Sequence, residues 1–163
     1  MEIRPYNQSE DKTHLWDLKQ AFETELATGT GGKKKQAAYD AKLTEGYQKR
    51  YFGWVERCVS DESRCMMLAV DEDSEPVGYV FVLPERLAMI WDAAVVNELY
   101  VSPEYRGTGV ADELMGLAYT LAREQDLPLK RLVLDVDPEN DRARAFYNRH
   151  GFKPWGEMVA KQL

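Results

Sequence analysis

Cysteine and histidine are scarce in this chain, which has two of each among its 163 residues. Cys58, Cys65, His14 and His150 do not follow the spacing of a His/Cys metal centre, so we expect no metal cofactor. No secretion address is visible, and we therefore expect both thiols to be reduced.

Long apolar runs and an excess of positive charge are also missing. No run of about eighteen apolar residues is present, so we expect no membrane-spanning segment. The first residues lack the basic and apolar regions of a secretory signal, which predicts a cytoplasmic protein. With 28 acidic and 21 basic residues, the net charge is −7. This balance argues against a nucleic-acid surface, which needs clustered cations, and suits a cationic substrate such as an amine.

Apolar residues are plentiful enough for a core. They make up 44% of the sequence, which predicts a single domain over residues 1–163 with no internal repeat. Their spacing predicts elements in the order β, α, α, β, β, β, α, β, α, β. The predicted strands are 3–6, 65–71, 76–83, 93–101, 131–136 and 152–162. The predicted helices run from residue 9 or 10 to 27 and over 33–59, 110–125 and 140–149, with a flexible break at 28–32.

Two details of this pattern bear on topology. Gly46 and Gly53 weaken the second helix and are the expected places for a bend or split. A right-handed crossover through the helix 110–125 makes the strand 131–136 parallel to the strand 93–101.

One segment is more informative than the rest of the chain. An apolar strand ending at Val101 leads through a turn into Arg106-Gly107-Thr108-Gly109, and an amphipathic helix follows directly. The free N–H groups of the helix start and the positive end of its dipole converge there, which predicts a phosphate site. Taken alone, a Gly-x-Gly loop is more often an ordinary turn, and this one is neither a Walker A loop nor a dinucleotide fingerprint.

Two motifs resemble the GCN5-related N-acetyltransferase (GNAT) superfamily. Residues 106–111 match its Arg/Gln-x-x-Gly-x-Gly/Ala signature, after a Leu-x-Val-x-Pro-x-Tyr strand and turn at 99–105. A second motif holds Asn140, Ala143, Phe146, Tyr147, Gly151 and Phe152. The resemblance spans residues 95–152. It implies an α/β fold (α+β by some schemes): a three-layer α/β/α domain with a mixed, mostly antiparallel sheet and a parallel strand pair splayed around the cofactor.

The resemblance also implies acetyl-CoA as the cosubstrate, lying between the strands that end at Val101 and near Val136. Main-chain groups of Leu99 and Val101 would pair with the pantetheine arm, and the pyrophosphate would lie on the amides of the glycine loop. The residues implied in cofactor binding are Leu99, Tyr100, Val101, Arg106, Gly107, Thr108, Gly109, Val110, Ala111, Asn140 and Tyr147.

Tyr147 and Asn140 each have a second interpretation. Tyr147 lies where the family presents a tyrosine whose hydroxyl assists the departing thiolate, but a core tyrosine beside Phe146 is the alternative. Asn140 matches a position that contacts the cofactor arm, and asparagine also favours capping a helix. The two roles of Asn140 do not exclude each other.

The base that deprotonates the amine is left open. Some family members carry Glu or His two residues before the Leu99 position, where this chain has Asn97, which cannot act as a base. Glu98 is the predicted catalytic carboxylate, acting directly or through water. Strand alternation sends the two side chains to opposite faces unless a bulge intervenes. Deprotonation by solvent, with Glu98 as a surface or ion-paired residue, is the alternative.

The N-terminal half would supply the acceptor site, since the resemblance implies that the loop between the first helices lines it. The predicted substrate contacts are Asn97, Glu23 and Tyr39, with Glu25, Tyr51 and the loop 28–35 as further candidates. Each has the alternative of a solvated face or a packed aromatic stripe. The hairpin 65–83 and Trp91 are candidates for a homodimer surface.

These features predict an acetyl-CoA-dependent N-acetyltransferase that acts by direct transfer in a ternary complex. Both cysteines lie outside both motifs, which disfavours a covalent enzyme intermediate. The acceptor is open among a small amine, an aminoglycoside, an amino acid and a protein N-terminus, and the acyl group is open between acetyl and a longer chain. A non-catalytic acyl-CoA-binding or sensing module is the alternative, which Asn97 favours and Tyr147 opposes.

Overall fold

The computed structural model describes residues 1–29 and 32–163, so Thr30 and Gly31 of the predicted break lie outside the described residues. The strands are β1 (Glu2–Pro5), β2 (Met66–Val70), β3 (Pro76–Val82), β4 (Ala94–Val101) and β5 (Leu132–Val133). The helices are α1 (Gln8–Gly29), α2 (Gly32–Lys42), α3 (Glu45–Asp61), α4 (Glu85–Ala88), α5 (Val110–Glu124) and α6 (Asp141–Arg149).

The strands form one sheet in the order β1-β2-β3-β4-β5. Neighbours are antiparallel except β4 and β5, which run parallel. The connection from β4 to β5 passes through α5, because parallel neighbours need a crossover rather than a hairpin. The predicted mixed, mostly antiparallel sheet is confirmed.

Apolar side chains cover both faces of this sheet, because successive residues of a strand point to opposite sides. On one face, Leu15 of α1 and Val55 of α3 pack in one cluster with Tyr79 of β3. On the other face, Leu114 of α5 packs in a second cluster with Val80 of β3. The three-layer α/β/α arrangement is therefore confirmed.

The predicted helix 33–59 is wrong in one respect, because it is two helices, α2 and α3. The break falls at Thr44, whose side chain accepts a hydrogen bond from the amide of Tyr47 at 3.2 Å. A hydroxyl in this position satisfies a free donor of the new helix and favours a fresh start there. Gly46 and Gly53 lie inside α3, so neither marks the split.

The last two predicted strands are shortened or absent. β5 covers two residues of the predicted strand 131–136. The predicted strand 152–162 is wrong: it has no strand pairing, and residues 153–163 are exposed. Pro154 cannot donate to a ladder and Gly156 offers no side chain to pack, which makes this segment a poor strand. No helix in the described part of the chain is both long enough and apolar enough to cross a membrane.

Candidate active site

The predicted glycine loop forms a left-handed turn into α5. Gly107 and Gly109 have φ values of +78° and +94°. A Cβ at either position would meet nothing within 4 Å, so the backbone conformation, and not crowding, requires glycine here. Gly109 is the N-cap of α5 and brings no side chain to its first turn.

The loop presents a run of unused main-chain donors. Within the described residues, no N–H group from Gly107 to Asp112 has a hydrogen-bond acceptor, and the amide of Glu113 is the first to donate, to the carbonyl of Gly109 at 3.0 Å. The positive end of the α5 dipole lies at the same place. This combination can bind a phosphate oxygen.

Two side chains of the loop turn back onto the protein. The Arg106 guanidinium donates through Nε to the carbonyl of Val101 at 2.8 Å and through Nη2 to Glu25 at 2.5 Å. The Thr108 hydroxyl donates to the carbonyl of Tyr105 at 2.6 Å. These contacts hold the shape of the loop, and the donors that remain unused are its main-chain amides.

β4 pairs with β3 along most of one edge, but on its other edge it pairs with β5 only at its start. β5 pairs with the first two residues of β4 alone, so the parallel pair opens beyond them. The amide of Ser102 donates to Val77, at the start of β3, at 2.8 Å. Since main-chain groups alternate along a strand, those of Leu99 and Val101 point to the open side. The Val101 carbonyl is already bound by Arg106, which leaves its N–H.

Tyr100 does not join this open edge. By the same alternation the main-chain groups of Tyr100 point toward β3. Its ring lies on the face of the sheet that α1 covers, with its centroid 6.4 Å from that of the Phe22 ring. Burial raises the pKa of Tyr100. Of the predicted cofactor residues, the structure brings together Leu99, Val101 and the loop amides, whereas the Tyr100 ring lies against the side chain of Arg106, whose Cζ is 5.6 Å from the ring centroid.

A β-bulge places Asn97 and Glu98 next to each other on one side of β4. Phe81 pairs with Glu98 whereas Val82 pairs with Val96, so Asn97 is an extra residue in the ladder. The amide Nδ2 of Asn97 donates to Oε1 of Glu98 at 3.4 Å. The bulge is the stated exception to strict alternation, and it brings the two side chains into contact.

Glu98 belongs to a largely buried group of charged and tyrosine side chains, which we call the Lys19 cluster. Its members are Lys19, Glu23, Lys42, Tyr51, Tyr79 and Glu98. Oε1 of Glu98 accepts from Lys19 Nζ at 2.6 Å, and Oε2 accepts from the hydroxyls of Tyr51 at 3.0 Å and Tyr79 at 2.8 Å. Lys19 also pairs with Glu23 at 2.5 Å, and Glu23 pairs with Lys42 of α2 at 2.8 Å.

Charge pairing outweighs burial in this cluster. Burial alone would lower the pKa of Lys19 and raise the pKa of Glu23, but the neighbouring opposite charges and their hydrogen bonds reverse both effects. The pKa of Lys19 is therefore raised and the pKa of Glu23 is lowered. Burial, followed by the nearby Glu98 carboxylate, raises the pKa values of Tyr51 and Tyr79 well above their usual range, so both hydroxyls remain donors.

The sequence pattern did not predict the role of Lys19, although a signal was present. Lys19 lies four residues after Leu15 and four before Glu23, so all three share one face of α1. Leu18 and Phe22 lie beside them, and a lysine with a glutamate four residues later among apolar residues is the sequence mark of a buried ion pair. Its partner on β4, Glu98, lies 79 residues away along the chain, so no local sequence pattern indicates that contact.

Tyr147 lies on α6 and packs against the apolar cluster beneath α5. Its ring centroid lies 5.4 Å from that of Phe146 and 5.6 Å from that of Phe152, both in edge contacts. Burial raises the pKa of Tyr147 to about 12, so its hydroxyl stays protonated at neutral pH. Asn140 caps α6, since its Oδ1 accepts from the amide of Ala143 at 3.1 Å. A contact of Asn140 with a cofactor stays a prediction.

The predicted acceptor residues lie around the Lys19 cluster. Glu23 is a member, Asn97 contacts it through Glu98, and Tyr39 of α2 contacts it through Lys42, whose Nζ lies 4.8 Å from the Tyr39 ring centroid. Among residues 1–29 and 32–163, no group of three His, Cys, Asp or Glu side chains is arranged to hold a metal ion.

Comparison with known proteins decides the family. Residues 30–152, which include the glycine loop, the bulge and Tyr147, match the acetyltransferase (GNAT) family. The chain belongs to the GNAT family. The curated relatives of this GNAT protein are themselves N-acetyltransferases by name.

Two bacterial relatives illustrate the similarity. This GNAT protein is 25% identical over 142 residues to a Bacillus subtilis (strain 168) protein provisionally named a ribosomal protein bS18-alanine N-acetyltransferase, covering 87% of this chain and 78% of that protein. It is 30% identical over 115 residues to the peptidyl-lysine N-acetyltransferase YjaB of Salmonella typhimurium (strain LT2), covering 69% and 68%. This GNAT protein is therefore an N-acetyltransferase.

A solved structure shows the same fold. The PaiA N-acetyltransferase of Thermoplasma acidophilum, crystallised in complex with coenzyme A, superposes with a TM-score of 0.72 at 20% identity. The match covers 93% of this chain and 89% of the PaiA chain. At this level of identity the likeness concerns the fold.

Proposed function

We propose that this GNAT protein transfers the acetyl group of acetyl-CoA directly to a primary amine. The observation that carries the proposal is the run of unused amides from Gly107 to Asp112 beside the open edge of β4. A diphosphate matches the first feature in charge, and the amide-containing pantetheine arm matches the second in hydrogen bonding.

The residues present fit such a ligand. The loop amides would hold the diphosphate, while the main-chain groups of Leu99 and the N–H of Val101 would pair with the arm. When bound, acetyl-CoA supplies the acetyl thioester. Arg106 can add positive charge only after releasing Glu25, since its guanidinium is already paired.

Tyr147 is the proposed donor to the leaving sulfur. An unperturbed thiol has a pKa of about 8.5, whereas burial raises the pKa of Tyr147 to about 12. Full proton transfer from the phenol to a thiolate is therefore uphill. The hydroxyl acts by donating a hydrogen bond as negative charge develops in a site that excludes water.

Glu98 is the proposed proton acceptor for the attacking amine. Its side chain is buried, and the hydroxyls of Tyr51 and Tyr79 with the Lys19 ammonium make its close contacts. The 3.4 Å hydrogen bond from the exposed Asn97 is the longest of the contacts to Glu98, and a water molecule can replace it. A water held by Asn97 would connect the amine to Oε1.

Direct transfer is favoured by the location of the two thiols. Cys58 and Cys65 lie in the apolar cluster between the sheet and the helices α1 and α3, whereas Tyr147 packs on the other face. Burial raises the pKa of Cys58 to about 11 and that of Cys65 to about 12. Neither thiol is poised to carry the acetyl group, because a thiolate is the reactive form.

A peptide amine is the proposed acceptor. Curated relatives are named for a ribosomal-protein alanine and for peptidyl lysine, which supports this substrate class. The charges on the acceptor side agree, because Glu23, Glu25 and Glu98 are each already paired with Lys or Arg. None of these three carboxylates is left to bind the second cation of a polyamine.

Calorimetry and thiol release together test the proposal. We expect heat on titration with coenzyme A and with acetyl-CoA, and thiol release with a peptide bearing a free α-amine or lysine but not with its fully acetylated form. Spermidine and an aminoglycoside serve as the competing acceptors. Binding without turnover on any amine would instead identify the acyl-CoA sensor, and absence of binding would refute both.

A further inference from the structure

Lys19 connects the two carboxylates of its cluster and has no part in the steps proposed so far. Its side chain is 4% exposed, and its Nζ lies 2.5 Å from Glu23 and 2.6 Å from Glu98. A buried ammonium group is tolerated only when opposite charge surrounds it. The lysine is therefore as dependent on Glu98 as Glu98 is on the lysine.

The cluster alternates in charge and spans three elements. Lys42 of α2 pairs with Glu23, Glu23 pairs with Lys19 on the same helix α1, and Lys19 pairs with Glu98 on β4. Lys42 also lies 4.8 Å from the ring of Tyr39, the predicted acceptor contact on α2. The position of α2 is thus coupled to the β4 bulge through one buried lysine.

Lys19 also differs in kind from the other groups that contact Glu98. Tyr51, Tyr79 and Asn97 are neutral donors, and Tyr47, which stacks on Tyr51 at 6.2 Å, is a further neutral group. Among the groups that contact Glu98, Lys19 is the positively charged one. Without it, Glu98 would keep neutral donors and have the carboxylate of Glu23 as its nearest charge.

We propose that Lys19 is a positioning residue that holds the Glu98 carboxylate in place at the β4 bulge and ties it through Glu23 to α2. This inference rests on the proposed function, in which Glu98 accepts the proton of the amine. Lys19 touches neither the amine nor the thioester and acts through Glu98.

Lys19→Met is the direct test, because methionine keeps the length of the side chain and removes the charge. We expect kcat/KM for the amine to fall at least about 30-fold near neutral pH, with most of the loss in kcat, because Oε1 of Glu98 loses the ammonium that fixes its position. Affinity for coenzyme A stays within about two-fold, since the glycine loop does not contact Lys19. Lys12→Met, which removes a half-exposed lysine of the same helix, is the matched control and leaves both quantities unchanged.

A double-mutant cycle separates positioning from a general packing role. On a Glu98→Gln background, Lys19→Met should cause no further loss of kcat/KM, because the charge that Lys19 holds is already gone. Losses that multiply would overturn the proposal, as would a loss in Lys19→Met that lies in KM and leaves kcat unchanged. The double variant also removes one charge of each sign, so it provides a folded test if Lys19→Met alone does not fold.

A readout without turnover distinguishes this inference from the proposed function. In protein labelled with ¹³C at the glutamate carboxyl carbon, the Glu98 resonance should change its chemical shift in Lys19→Met, because the ammonium bound to Oε1 is lost. If the native chain binds coenzyme A but acetylates no amine, the proposed function fails while this comparison still tests Lys19. An unchanged Glu98 resonance in Lys19→Met would refute the role of Lys19 alone.

Discussion

Glu25 of α1 and Arg106 of the glycine loop form a 2.5 Å ion pair across 81 residues of sequence. The other carboxylate oxygen of Glu25 accepts from Arg142 of α6 at 2.9 Å. One carboxylate therefore joins the first helix to the loop and to the last helix. It also offsets positive charge where the proposed diphosphate would bind.

Glu25→Gln should strengthen the binding of coenzyme A. The substitution releases Arg106 and Arg142 from their shared anion, and we expect Kd to fall by about three- to ten-fold at low salt, with a smaller gain at high salt because exposed charges are screened. Stability should change by less than about 1 kcal/mol, because the pair is partly exposed. Calorimetry at two salt concentrations measures the effect, with the exposed Glu72→Gln as control. Weaker binding would mean that Glu25 orients Arg106 for the ligand and does not compete with it.

Gly109→Ala should damage the anion site, whereas the same change at Gly116 should not. Gly109 has a φ of +94°, which strains any residue with a Cβ, while Gly116 lies in α5 with open space around it. We expect Gly109→Ala to reduce the free energy of unfolding by about 1–2 kcal/mol and Gly116→Ala to raise it by up to about 1 kcal/mol. Thermal melts and coenzyme A titrations measure both. If the two variants bound coenzyme A equally well, the left-handed turn at Gly109 would not be needed for ligand binding.

Tyr147→Phe should lower kcat with little effect on coenzyme A affinity. The ring packing against Phe146 and Phe152 is kept, and only the hydroxyl is lost. We expect a fall in kcat of about 10- to 100-fold, since the lost donor acts as charge develops on sulfur. Tyr119→Phe is the matched control, because its hydroxyl makes only a 3.4 Å contact with the His150 carbonyl. A kcat equal to that of the control would assign Tyr147 to the core.

Asp11 should make the protein sensitive to acid. Burial alone would raise the pKa of Asp11, but the Arg4 guanidinium and the amide of Asn7, all within 2.7 Å, reverse this and lower it. A lowered pKa in the folded state adds stability that is complete above the unfolded value of about 4 and is lost as the pH falls through the folded value. Asp11→Asn should therefore cost about 1–3 kcal/mol at neutral pH.

The difference between Asp11→Asn and the native chain should shrink as the pH falls below about 4. Urea unfolding at a series of pH values measures it, and Asp17→Asn, an exposed position on α1, is the control. A gap in stability that is constant from neutral to acid pH would show that the ion pair to Arg4 is not its source.

Local features of this protein could be predicted from the sequence. The glycine loop, α5 and the α6 cap at Asn140 all depend on residues within a few positions of one another, and each was found where it was predicted. The predicted strand 152–162 shows where the same reasoning fails. A segment with apolar residues forms a strand only when another strand is available to pair with it.

The two-motif pattern by itself indicated the family and predicted the segment that would hold an anion, because backbone conformation and helix ends are set by neighbouring residues. Only the tertiary structure decided that Glu98 is buried against Lys19, that the bulge brings Asn97 beside it, and that Arg106 is held by Glu25. These contacts join residues that lie far apart in the chain, or depend on how two strands pair. Burial and pairing, which set the strength of each charge, exist only once the helices have packed against the sheet.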